Sequence, residues 1–289
     1  MNYLLHILVM IGIYLILTQS LNLVMGYTGL LSVCHAAFYG IGAYASTLLM
    51  TSWGVNFFVA LIASIVISML LSFVVSIPTL RLRGDYFVLG TLGFQAIIFG
   101  IMYNWISFTR GPYGIPGIPS PSLFGFVFDS PSSYVSLTTA FALLTVGFVY
   151  LITSSQFGRV LKTIREDEIA SQAIGKDPLF FKTTSFALGA GVAAIAGSLY
   201  AGYMRYIDPT SFTIAESLFL ITILAIGGSG NIKGPIVGTV ILVVLPEVLR
   251  FLQIPDTVAP NIRMMLYALA LILLVIYRPR GLAGEYGFE

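Results

Sequence analysis

The first Asp, Glu, Lys or Arg in this chain is Arg81. Everything before it is apolar or uncharged polar. A soluble domain cannot be built from such a run, because its surface would have no charges to keep it in water. One transmembrane helix needs about 20 apolar residues, so this opening stretch alone has room for three. The rest of the chain continues the pattern. Only 9% of its 289 residues are charged, against about 25% in an ordinary soluble domain. Apolar runs at 4–25, 30–50, 57–79, 86–105, 134–154, 183–204, 215–232, 235–253 and 261–277 read as spans. The expected fold is all-α: a polytopic membrane bundle of about 8–10 transmembrane helices forming a single domain over residues 1–289. The first apolar run has no basic segment before it and no small-residue cleavage site after it, so it reads as a retained span.

Several function classes fall away. A net charge of +2 is too small to suggest a nucleic-acid partner. The single cysteine, Cys34, excludes an intrachain disulfide and a cysteine-based zinc cluster. No G-x-x-x-x-G-K-[ST] occurs; Lys233 lies in the glycine-rich "GGSGNIKGP", but the spacing is wrong for a phosphate loop. No nucleophile and base stand out as a set, so no enzyme activity is expected in this chain. "GGSGNIKGP" instead reads as a tight hairpin or an interrupted helix between two apolar runs. "GYTGLLSVCHAAFYGIGAY" reads as a broken or re-entrant helix, tolerated where protein or a wet cavity covers the backbone.

The basic residues set the orientation. Arg81 and Arg83 share one short loop, Arg278 and Arg280 sit in the tail, and Arg159, Lys162, Arg165, Lys176 and Lys182 cluster in "GRVLKTIREDEIASQAIGKDPLFFK". Nine spans place all three groups on one side, the cytoplasm by the positive-inside rule. The Gly- and Pro-rich segment at about 106–133 then lies outside, as a structured lid, a docking surface or a rigid connector. The charged segment at about 155–182 lies inside. In "TIREDEIASQAIG" the acids come early, apolar and small residues recur at Ile164, Ile169, Ala170, Ala173 and Ile174, and Gly175 follows where a helix would stop. This is the pattern of one short amphipathic helix, acidic at its positive dipole end. It suits either a solvated face or a docking helix for a cytoplasmic partner that brings the energy source.

The segments "NLVMGYTGLLSVCHAAFYGIGAY", "LRLRGDYFVLGTLGF", "TRGPYGIPGIP", "GRVLKTIREDEIASQAIGKD" and "AIGGSGNIKGPIVGT" together resemble the permease subunits of branched-chain amino-acid ABC importers, of the LivM type. "EIASQAIG" is similar to a loose E-A-A…G pattern with the glycine one position further on. The resemblance implies a coupling helix seated in a groove of an ATPase, with Glu166, Asp167, Glu168, Ala170, Ser171 and Gly175 as its contacts. It also implies two ATP-binding subunits carrying the ATP and Mg, a second homologous permease in a heterodimer, and an extracellular or periplasmic solute-binding protein. The chain itself is expected to hold no cofactor or metal and to reside in a bacterial or archaeal cell membrane, with its C-terminus cytoplasmic. After "LGF", where many members carry an acidic and a basic residue three apart, this chain has Ala96 and Phe99; the presumed ion pair is absent as a pair.

Polar groups inside the spans are candidates for the translocation path, since they normally face the bundle interior. Thr18, Gln19, Ser20 and Asn22 cluster near the inner end of the first span, followed by Gly26, Thr28, Ser32, Cys34 and His35. Gln19, Asn22, Gly26, Thr28 and His35 are the path candidates; interhelix hydrogen bonding is the competing role. Glu216 and Glu247 lie at or inside the ends of spans, the latter with Arg250 at i+3, and no acid lies near a span centre, which argues against a proton-coupled carrier. Small residues recur every fourth position at Gly189, Ala193, Gly197 and Ala201, and again at Ala190, Ala194, Ser198 and Gly202. They let helix backbones approach closely, within this chain or against a second subunit. Three functions remain: import of branched-chain or related amino acids, the same machine carrying urea, an amide or a monosaccharide, and an ion-driven secondary transporter without an ATPase.

Overall fold

The computed structural model describes residues 2–82, 84–123, 126–250 and 281–284, together with 265, 268, 269 and 272. The expected span 261–277 as a whole, the side chains of Arg83, Glu247, Arg250, Arg278 and Arg280, and the orientation drawn from the tail lie outside the described residues. Eleven α-helices follow one another among the described residues. They are α1 (Asn2–Leu21), α2 (His35–Trp53), α3 (Phe57–Thr79), α4 (Asp85–Asn104), α5 (Ile106–Thr109), α6 (Pro131–Ser154), α7 (Gln156–Glu166), α8 (Glu168–Ala173), α9 (Pro178–Met204), α10 (Ile214–Gly227) and α11 (Lys233–Arg250). Five of them, α1, α3, α4, α6 and α9, are long and apolar enough to cross a membrane.

The starts of these helices follow local chemistry. Asn56, Ser130, Ser155 and Asp177 each precede a helix and accept a hydrogen bond from a backbone N–H in its first turn, which satisfies donors that have no partner within the helix. Pro131 and Pro178 occupy the first helical position, where the missing N–H costs nothing.

At the centre α2 lies against α9. A Cβ on Gly42 would come 2.4 Å from the Cα of Ala194, and one on Gly197 would come 2.1 Å from the Tyr39 carbonyl oxygen. Only glycine permits that approach. Both small-residue registers of α9 are buried. They face α1 (Gly189 against Val24), α2 (Gly197), α3 (Ser198 Oγ to Ser64 Oγ, 2.9 Å) and α6 (Gly202 against Tyr134). The stripes are spent on packing within the chain. Around this centre α3 turns Val59, Ile62, Val66 and Leu70 outward, and α4 and α6 likewise expose apolar residues such as Leu89, Ile97, Leu143 and Leu151.

Two expected spans change shape. The run 30–50 yields a helix only from His35; α1 ends in a π-turn over Asn22–Gly26, and residues 27–34 are irregular. The run 215–232 yields α10, of 14 residues. At about 1.5 Å per residue it is roughly 21 Å long, short of the roughly 30 Å hydrocarbon core. The short turn ahead of it, Pro209–Phe212, already buries Pro209 and Phe212. "GGSGNIKGP" is a tight hairpin: α10 and α11 meet through Gly227, Gly234 and Gly238, where a Cβ on Gly227 would come 2.1 Å from the Gly234 carbonyl oxygen.

The Gly- and Pro-rich connection is folded. β1 (Ile115–Pro116) pairs antiparallel with β4 (Tyr206–Ile207) just after α9, with Ile115 opposite Ile207. β2 (Ser122–Leu123) and β3 (Phe126–Val127) form a small hairpin. Asp129 pairs with Arg205, so this connection is fastened to the exit of α9.

Candidate functional site

The charged segment forms two helices, which corrects the single helix expected from its periodicity. Glu166 closes α7. Asp167 is extended (φ −152°, ψ 108°) and its carboxylate accepts hydrogen bonds from the N–H groups of Ile169 and Ala170, at 2.9 and 3.0 Å. A short acidic side chain that captures backbone donors starts a new helix more readily than it continues an old one. The end of α8 is a Schellman motif: Gly175 lies at φ +79°, its N–H donates to Gln172 and that of Lys176 to Ser171.

The site candidates on this loop divide by direction. Glu166, Asp167, Glu168, Ala170 and Gly175 are exposed, while Ser171 is buried and its hydroxyl donates to the Asp167 carbonyl. Glu168 is held at 2.6 Å by Lys182 of α9. Ile169 and Ile174 are 78% and 68% exposed. Two isoleucines beside Ala170 on a short, charged, capped helix make an apolar face with nothing covering it among the described residues.

Helix α7 faces the other way. Leu161 and Ile164 are buried. Lys162 Nζ lies 5.6 Å from the centre of the Tyr27 ring. Arg165 Nη1 donates to the carbonyl oxygen of Gly26, and a Cβ on Gly29 (φ +76°) would meet the Arg165 side chain at 3.0 Å. The exposed α8 and the break between α1 and α2 are thus joined by one short helix.

The path candidates gather beside that break, all buried. Asn22 Nδ2 donates to Asn231 O (2.8 Å) and its Oδ1 accepts from Gly230 N (3.1 Å). Gln19 Nε2 donates to Ile232 O (2.9 Å). The C-terminal end of α1 is therefore tied to the α10–α11 hairpin. Gly26 packs against that hairpin too, since a Cβ there would come 2.8 Å from Gly230 N. Thr28 Oγ1 donates to Leu23 O and meets Ser185 of α9 at 3.0 Å. His35 Nε2 lies 3.1 Å from Ser20 Oγ, which donates to Gly189 O, while His35 Nδ1 is buried with no partner among the described residues. Among the described residues no group of three His, Cys, Asp or Glu is arranged to hold a metal ion.

Three residues not singled out in the sequence close the site from above. Val33 N donates to Thr91 Oγ1, Ala36 N to Ser217 Oγ and Ala37 N to Gln95 Oε1, while Gln95 Nε2 donates to Phe212 O. The first turn of α2 begins inside the bundle, and α4 and α10 supply its missing partners. The sequence signal for Gln95 is its amide among the apolar residues of "TLGFQAIIFG". Glu216 stands half-buried in the first turn of α10, where its carboxylate hydrogen bonds with Tyr14, midway along α1.

A sequence profile for the family described as branched-chain amino acid transport system / permease component matches residues 3–276. The chain is 35% identical over 293 residues to the "High-affinity branched-chain amino acid transport system permease protein LivM" of Salmonella typhimurium, covering 93% of this chain and 67% of that protein. The Escherichia coli protein of the same name is 34% identical over the same shares. The "Probable branched-chain amino acid transport permease protein LivM" of Methanocaldococcus jannaschii is 29% identical over 327 residues, 96% of this chain and 92% of that one. No solved structure matches.

Proposed function

Because the chain belongs to the branched-chain amino acid transport system / permease component family, we propose that it is the transmembrane permease subunit of an ATP-driven importer. Its cargo is branched-chain or related amino acids, handed over by an external solute-binding protein. The observation that carries the ATP-driven part is the exposed Ile169–Ala170–Ile174 face of α8. Uncovered apolar surface on a rigid, capped element marks a protein contact, and the charged loop that presents it lies on the side the basic residues assign to the cytoplasm. Two ATP-binding subunits dock there in this reading, and ATP with Mg is bound and hydrolysed on them, which leaves this chain without a cofactor or a reaction of its own. A second, homologous permease completes the membrane part as a heterodimer.

The mechanism follows from the linkage. Motion of the ATPase groove carries α8, α7 moves with it, and Arg165 and Lys162 pass the movement to Gly26, Tyr27 and Gly29. There the π-turn and the irregular stretch supply a joint between α1 and α2. Gln19 and Asn22 extend the same joint to the α10–α11 hairpin, so the buried groups Gln19, Asn22, Gly26, Thr28 and His35 border a path whose inner mouth the joint opens.

The test is reconstitution. The chain is purified with two ATPase subunits, a sister permease and the binding protein, placed in liposomes, and assayed for ATP-dependent uptake of leucine, isoleucine and valine. Uptake driven by ATP supports the proposal. Stimulation by urea, an amide or a monosaccharide in place of the amino acids moves the cargo to that class, and uptake without any ATPase subunit removes the ATP-driven mechanism altogether.

A further inference from the structure

Glu216 is half-buried as a residue, its Oε1 is enclosed, and it takes part in no described ion pair. The turn that begins α10 is held by Gln95, midway along α4, whose Nε2 donates to Phe212 O at 2.8 Å, and by Ser217 Oγ, which accepts from Ala36 N at 3.0 Å. Glu216 lies in that turn. Its carboxylate hydrogen bonds with Tyr14 of α1, and Oε1 is buried with no hydrogen-bond partner among the described residues. The described ion pairs, Lys182–Glu168 and Arg205–Asp129, are elsewhere. Tyr39 and Tyr200 are within electrostatic reach of it. Their ring centres are 5.5 Å apart, and Phe212 packs 5.0 Å from Tyr39 and 6.1 Å from Tyr200.

A capping role does not account for this carboxylate. Thr213 and Glu216 have the spacing of a capping box, in which the acid reaches back to the N-cap N–H. Here Thr213 makes no side-chain cap, and Glu216 turns to Tyr14 instead. The positive end of the α10 dipole favours an acid there, yet a neutral polar residue would serve a helix start as well. An acid inside a membrane bundle is expensive and faces the interior or a wet path. One oxygen held by a tyrosine and one left bare is the arrangement that receives an ammonium group: the bare oxygen accepts its N–H.

We propose that Glu216, with Tyr14 on one carboxylate oxygen and the other left bare, is the point of the translocation path that binds the ammonium group of an amino-acid substrate in transit. The proposal rests on the amino-acid import reading above and adds the group that contacts the cargo. It gives the permease its own selection for a cationic amine, independent of the side-chain preference of a binding protein.

The test uses the whole complex in liposomes. A hydrophobic carbodiimide labels membrane carboxylates, and mass spectrometry reads the adduct at Glu216 in the wild-type complex. Saturating leucine should lower that adduct about tenfold, and 2-hydroxy-4-methylpentanoate, which has the same skeleton without the amine, should not. An adduct equally abundant with and without leucine overturns the proposal, as does equal protection by the hydroxy acid. Glu216→Gln should cut leucine uptake about tenfold or more, and Glu216→Asp should keep roughly a third of it. Uptake by Glu216→Gln within about twofold of wild type, or equal loss in both variants, overturns the assignment. The labelling arm decides the matter if Glu216→Gln does not assemble. A wild-type complex that takes up urea or sugar but no amino acid defeats the import reading itself, and the ammonium site falls with it.

Discussion

Arg165 of α7 donates a hydrogen bond to the backbone carbonyl of Gly26, the last residue of the π-turn that ends α1. One side chain thereby joins the charged loop to the first membrane helix. The carbonyl belongs to the end of a helix, where it has no intrahelical donor, so a cation is the natural partner. Replacing Arg165 by alanine removes a charged hydrogen bond worth about 1.5–3 kcal/mol but leaves the exposed face of α8 intact. The expected outcome is a complex that still co-purifies its ATPase while amino-acid uptake falls about tenfold. Loss of the ATPase in a pull-down of Arg165→Ala would place Arg165 in the docking surface instead of the transmission.

Ala170 in α8 and Gly175 just beyond its end separate docking from geometry. Ala170 is exposed beside Ile169, and Ala170→Trp should block a groove sterically and abolish co-purification of the ATPase. Gly175 at φ +79° has nothing within 4 Å of a built Cβ. Gly175→Val therefore suffers only backbone strain of roughly 1–2 kcal/mol. It should keep part of the bound ATPase and lose substrate-stimulated ATP hydrolysis. Wild-type transport in both variants would show the loop to be a solvated connector.

Asn22 and His35 differ in what their loss leaves behind. Asn22→Leu strands Asn231 O and Gly230 N, each a buried group costing about 1–3 kcal/mol when unpaired. His35→Leu strands only its contact with Ser20. Uptake should fall in both, whereas the melting temperature of the complex should fall clearly only for Asn22→Leu. Normal uptake in both variants would assign the pair to packing alone.

Gly197→Ala sets the new methyl 2.1 Å from Tyr39 O and 2.7 Å from Ala43 N. Backbone cannot yield as a flexible side chain can, and overpacking of this kind costs about 1–3 kcal/mol. The purified chain should melt several degrees lower. Gly100→Ala on α4, with nothing within 4 Å, is the control and should gain about 0.5–1 kcal/mol from helix propensity. Similar melting temperatures for the two variants would show that α2 and α9 do not approach as closely as described.

By itself the sequence determined the membrane class, the five long spans to within a few residues, the place of the charged loop, the stop at Gly175 and the close-packing use of the α9 glycines. Each of these depends on local content: uncharged length, a run of small residues, a residue that tolerates positive φ. Which groups meet was decided by the tertiary structure alone. Asp167 looked like one acid in a helix and proved to be the cap of a second helix, because its carboxylate found two backbone donors. Glu216, read at or inside the end of a span, proved to meet Tyr14 midway along α1, because the residues ahead of α10 are held by Gln95 of α4. Arg165 looked like surface charge and found a carbonyl on a distant helix. In lipid the outside of a bundle is as apolar as its inside, so hydrophobic periodicity that would point a soluble helix inward says little here. The direction each helix faces, and the partner of each polar group, is settled only when the helices pack.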